Sequence, residues 1–125
     1  MQKRQMKQPG PDHPIAVEPF AGMVSVRVNG VEMARSESAL VMSESVYQTV
    51  YYIPRADIAM DHFRRSQKVT HCPYKGDAAH FSVTADGQDT EDVAWSYETP
   101  YDGVAGIAGH VAFYRDLAEI TAEPG

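Results

Sequence analysis

Val24-Ser25-Val26-Arg27-Val28-Asn29-Gly30-Val31-Glu32-Met33-Ala34 decides the fold class of this chain. Val24, Val26 and Val28 alternate with Ser25 and Arg27, which is the period of a half-buried strand. Asn29-Gly30 then supplies the residue types that most readily take the positive φ of a tight hairpin turn, and Val31 to Ala34 returns as the partner strand. The same grammar repeats outward. Residues 38–43 read as a strand. Residues 46–53, rich in Val, Thr and Tyr, are the strongest strand signal and stop at Pro54. Residues 79–85, the turn Asp86-Gly87 and a return over 91–97 form a second hairpin. A further strand is expected over 111–114 and another element over 117–120. Residues 55–63 hold at most a short helix led by Asp57. Residues 67–76 read mostly as loop, and 100–109, with Gly103, Gly106 and Gly109, as turn with one helical turn at most. Seven or more short strands without a long helix predict a mostly-β domain.

Length and charge narrow the function classes. The chain has 125 residues, enough for one buried core. Lys and Arg number 11 against 17 Asp and Glu, a formal charge of -6. Phosphate binding needs clustered positive charge, so nucleic acid and acidic membranes are poor partners. A single cysteine excludes an intrachain disulfide and a four-cysteine zinc site. No run is apolar enough for a membrane span, and the basic start Met1-Gln2-Lys3-Arg4 lacks the apolar stretch of a secretory signal. A reducing cytoplasm is the expected location. Residues 1–19 offer little to bury and are expected to be a flexible arm, with residues 20–125 as one β domain.

Two segments concentrate reactive and aromatic side chains. Thr70-His71-Cys72-Pro73-Tyr74-Lys75-Gly76 holds the only cysteine, and Asp92-Val93-Ala94-Trp95-Ser96-Tyr97 the only tryptophan. A thiolate is the reactive form of cysteine, and nearby positive charge favours it; His71 and Lys75 are close enough in sequence to supply that charge. Cys72 and Lys75 are therefore the catalytic candidates. His71, Tyr74, Trp95, Tyr97, Glu44 and Asp92 are the ligand-binding candidates. On a strand Trp95 and Tyr97 share one face and can wall a pocket for a flat or cationic ligand. Glu44 or Asp92 can act as a base or pair with Lys75. The bland alternatives are core packing for Cys72 and Trp95 and a surface ion pair for Lys75. The five histidines show no metal-ligand spacing, and no metal or cofactor is expected.

The blocks Val50-Tyr51-Tyr52-Ile53-Pro54-Arg55-Ala56-Asp57, Thr70 to Gly76, Ala94-Trp95-Ser96-Tyr97 and Ile107-Ala108-Gly109-His110-Val111-Ala112-Phe113-Tyr114 occur in that order. Together they resemble the domain-of-unknown-function 427 family, small bacterial and fungal proteins labelled nucleotidyltransferase-like. The resemblance implies a β-tent: two antiparallel sheets packed at a steep angle, with at most short helices. Many tent proteins hold zinc on paired Cys-x-x-Cys knuckles, which this sequence lacks. Nucleotidyl transfer normally needs clustered carboxylates and a phosphate cradle, and neither is found here. The expected function is small-molecule binding in an aromatic pocket near Cys72, Lys75 and Trp95, with or without catalysis. The alternative is a non-catalytic interaction module or homodimer, using tyrosine-rich edges such as residues 50–53. Nucleotidyltransferase-like activity is a third reading.

Overall fold

A computed structural model describes residues 7–125. Ten strands form two antiparallel sheets: β1 Ile15–Pro19, β2 Gly22–Val28, β3 Val31–Ser36, β4 Leu40–Glu44, β5 Val50–Pro54, β6 Phe63–Cys72, β7 Gly76–Ala85, β8 Gln88–Ser96, β9 His110–Phe113 and β10 Glu119–Pro124. The larger sheet has the order β1-β4-β5-β9-β8-β7-β6 and the smaller one β10-β2-β3. Helical structure is limited to short 3-10 turns at Arg55–Asp57, Met60–His62 and Asp102–Ile107. The mostly-β fold with two antiparallel sheets is thus the one the sequence predicts. Among the described residues no helix is long and apolar enough to cross a membrane.

The hairpin signals act as read. Asn29 (φ 51) and Gly30 (φ 79) are both left-handed between β2 and β3, as are Asp86 (φ 53) and Gly87 (φ 70) between β7 and β8. A type I′ turn demands this pair of conformations, and Asn-Gly and Asp-Gly reach them at least cost.

Three expectations need correction. Residues 15–19, placed in the arm, form an edge strand paired with β4, Val17 opposite Met42; the first six residues of that arm lie outside the described residues. Of residues 67–76, expected to be mostly loop, 67–72 belong to the long edge strand β6. Residues 50–53 are not an edge at all, since β5 runs between β4 and β9, so dimerisation by strand addition there is sterically closed.

Strand alternation sorts the core into two clusters. On one face of the large sheet Ile53, Phe81, Val83, Ala94, Val111 and Phe113 meet Val24, Val26 and Val28 of the small sheet in the main core. On the other face Met42, Tyr52, Ala78, Tyr97 and Ala112 pack with Val104 and Ile107 of the 3-10 segment. The registers Leu40↔Tyr52, His80↔Trp95, Trp95↔Ala112 and Thr70↔Ala78 place these residues on the second face. That face is only partly covered, and the candidate site lies there.

Candidate functional site

Four strands, β4, β5, β6 and β8, together with the chain just beyond β6, β8 and β9, contribute side chains to one cleft of about 180 Å³ on the second face. Its lining includes Glu44 from the end of β4, Tyr52 from β5, Thr70 from β6 and Trp95 from β8, with Tyr97, Tyr114 and Lys75 from the chain just beyond β8, β9 and β6. Period-2 alternation brings these residues together across the sheet, although they are far apart in sequence. A second hollow of about 310 Å³ shares Gln48, Val50, Trp95 and Tyr114 with the cleft and continues it toward Arg115 and Ile120.

The floor is polar and ordered. Lys75 is buried, 8% exposed, and its Nζ donates to Glu44 Oε1 at 2.5 Å. Nζ also lies 3.6 Å from Cys72 Sγ and 5.9 Å from the centre of the Tyr97 ring. Glu44 Oε2 bonds His13 Nε2 at 2.7 Å, and the His13 ring stacks on Tyr74 at 3.9 Å. Burial pushes the Glu44 carboxyl up, but the hydrogen bonds from Lys75 and His13 outweigh it and hold the group below its ordinary 4.5. Glu44 is therefore a firmly ionised anchor, poorly suited to take up a proton. Lys75 is held by the tight turn that joins β6 to β7, closed by the Lys75 N–H to the Cys72 carbonyl.

The walls are aromatic. Trp95 Nε1–H donates to the Tyr52 hydroxyl at 3.4 Å, and the two rings meet edge to face at 6.3 Å. Trp95 also leans on Tyr114, ring centres 4.4 Å apart. Burial raises the phenol pKa of Tyr52, Tyr97 and Tyr114, so all three remain protonated hydroxyl donors at neutral pH.

The sequence-derived candidates separate into two groups. Lys75, Glu44, Trp95 and Tyr97 meet at the cleft, with Cys72 behind Lys75 and Tyr74 behind His13. His71 points to the opposite face, where Nδ1 bonds Asp77 Oδ1 at 2.8 Å and the ring meets Tyr101. It is the Lys75 ammonium that contacts the Cys72 sulfur. Asp92 lies in the bulged part of β8, in left-handed backbone (φ 51), its amide bonded to Ser82 Oγ. Sequence reasoning missed His13, Tyr52, Thr70 and Tyr114. Tyr52 and Tyr114 share strand parity with Val50 and Ala112, a signal that becomes usable only when the strand order is known. Among the described residues no group of three His, Cys, Asp or Glu side chains is placed to hold a metal ion.

The sequence profile of a domain of unknown function, DUF427, matches residues 16–123. The match spans nearly all of both sheets, and the chain belongs to that family. No curated protein matches the sequence.

Proposed function

For this member of the DUF427 family we propose binding of a small organic ligand that carries hydrogen-bond acceptors and a flat apolar part, in the cleft above Lys75 and Glu44. The observation that carries this reading is the surplus of donors facing an aromatic-walled space. Both Glu44 oxygens are already engaged, by Lys75 and by His13. The Lys75 ammonium has three donors and spends one on Glu44 and one on the Cys72 sulfur. The Tyr97 and Tyr114 hydroxyls have no hydrogen-bond partner among the described residues and line the same space. A carboxylate, amide or carbonyl satisfies such donors. Aromatic walls also attract cations, but here Lys75 already stands in the wall against Tyr97, and a second cation meets its repulsion.

The indole of Trp95, the only tryptophan, reports on occupancy. Benzoate and benzamide titrated into the protein are expected to change its fluorescence saturably, and Lys75→Met is expected to weaken benzoate at least tenfold. Tighter binding of benzyltrimethylammonium than of benzoate contradicts the donor argument. Nucleotidyl transfer gains no support from the side chains: Asp57 accepts the Ser36 hydroxyl at 2.6 Å, a contact that ties the 3-10 turn after β5 to the end of β3, and among the described residues no group of three His, Cys, Asp or Glu side chains is placed to hold a metal ion.

A further inference from the structure

We propose that Thr70, His80 and Asp92 form a hydroxyl-activating relay that opens into the cleft, and that its substrate class is a carboxylic ester or a similarly activated acyl compound. This rests on the cleft being a ligand site. It adds a reaction to that reading.

The relay spans three neighbouring strands. Thr70 on β6 lines the cleft. Its Oγ1 lies 2.9 Å from Nε2 of His80 on β7. His80 is almost fully buried, 1% exposed, and its ring lies parallel to Tyr114 at 6.2 Å. The other ring nitrogen, Nδ1, is buried and without a hydrogen-bond partner among the described residues, and so is Oδ1 of Asp92 on β8. Asp92 is tied through its amide to Ser82 Oγ, and Ser82 stands two residues beyond His80 on the same face of β7, so these two orphaned groups belong to one stretch of the sheet. Buried polar atoms without partners are rare and mark strain or function. Asp92 adds a second anomaly. It takes a left-handed backbone conformation (φ 51) inside a strand whose pairing with β7 is irregular between Phe81 and Val83, a cost that the fold carries beside Ser82, whose hydroxyl takes the Asp92 amide.

The chemistry follows from the order carboxylate, imidazole, hydroxyl. Burial, followed by the nearby Lys68 charge, lowers the His80 pKa, which keeps the ring neutral and able to accept a proton. With the proton on Nδ1, Nε2 is the acceptor facing Thr70, and the negative charge of Asp92 favours the imidazolium that forms. As Thr70 Oγ1 attacks an ester carbonyl, the Oγ1–H proton passes to Nε2 and an Oγ1–C bond forms. Collapse of the tetrahedral species breaks the bond to the leaving alkoxide, which takes the proton from His80 and departs as the alcohol. Water, deprotonated by His80, then cleaves the acyl–Thr70 bond. It leaves the free acid and restores the hydroxyl. The protonated phenols of Tyr97 and Tyr114 line the same cleft and are the donors available to the oxyanion.

The test treats the full chain with an alkyl fluorophosphonate, in which Oγ1 displaces fluoride from phosphorus, and locates the adduct by peptide mass spectrometry. The expected result is modification of Thr70 in the folded protein. Labelling at that position is absent in Thr70→Val, retained in Thr70→Ser and at least tenfold slower in Asp92→Asn. Asparagine tolerates the left-handed backbone of Asp92, so the last variant is expected to keep the wild-type thermal transition. No Thr70 adduct in the native protein, or an Asp92→Asn variant that labels at the wild-type rate, overturns the relay. Benzoate titration of the same samples by Trp95 fluorescence separates the two claims. Binding without labelling removes the reaction and leaves the ligand site, whereas loss of both removes the site.

Discussion

Replacing Lys75 with Met tests the floor of the cleft through stability. The side chains of Lys75 and Glu44 are 10% and 15% exposed, so the substitution strands a mostly buried carboxylate. Breaking a fully buried pair from one side costs about 3–5 kcal/mol. Here His13 still bonds Glu44 and the cleft admits water, which brings the expected loss to about 2–3 kcal/mol, or roughly 10 °C in melting temperature for a domain of this size. The pH profile carries the same information. Glu44 has a folded pKa below its ordinary 4.5, so its contribution is present above that value and is lost as pH falls through the folded pKa. In Lys75→Met that acid-side loss shrinks, because the group that lowered the pKa is gone. The assay is equilibrium urea unfolding followed by Trp95 fluorescence at neutral and acid pH. The double variant Lys75→Met/Glu44→Gln is expected to cost less than the sum of the singles by about 1 kcal/mol or more. A single-variant loss under about 0.5 kcal/mol, the level of an exposed pair, refutes the reasoning, as does strict additivity.

Other consequences are as direct. A Cβ on Gly22 would lie 2.2 Å from the Glu123 carbonyl oxygen, so Gly22→Ala forces β2 and β10 apart and is expected to cost about 2–3 kcal/mol in thermal unfolding. Gly30 has open space around it but φ 79, and Gly30→Ala is expected to cost only about 1 kcal/mol, through backbone strain alone; equal losses at the two sites count against this distinction. His80 is expected to titrate below its ordinary 6.5 by NMR, and the stability tied to its neutral form is present above 6.5 and falls away as pH drops through the folded pKa. Alkylation of Cys72 by iodoacetamide is expected to slow several-fold in Lys75→Met, since the ammonium 3.6 Å from the sulfur is removed; an unchanged rate argues that the contact has no chemical effect.

What the sequence reveals follows burial. The Asn29-Gly30 and Asp86-Gly87 hairpins are legible because their turn chemistry is local. β6 is not, because an edge strand carries Arg64, Arg65 and Lys68 where an internal strand carries apolar residues, and such charge is how edges are protected. β1 is hidden for another reason: it is only five residues, Ile15–Pro19, follows Pro14 and ends on Pro19, and proline demotes a strand reading. The strand signal at residues 46–53 starts too early: Val46 and Tyr47 are 93% and 66% exposed, after Ser45 turns the chain with φ 48. At the site, Lys75, Glu44, Trp95 and Tyr97 could be picked out by residue type. Their meeting, the exclusion of His71 and the placing of Thr70 beside His80 depend on sheet order and register, which no local pattern encodes.

The most direct test of the ligand site is the single indole N–H resonance of Trp95. A set of small aromatic carboxylates, amides and amines is titrated into isotopically labelled protein and followed by two-dimensional NMR. The account predicts that carboxylates and amides shift the Trp95 indole and the backbone amides of Lys75 and Tyr97 together, with one saturation curve and little response to the amines. Compounds that bind while these three resonances stay fixed, or amines that move them more strongly than carboxylates, contradict it.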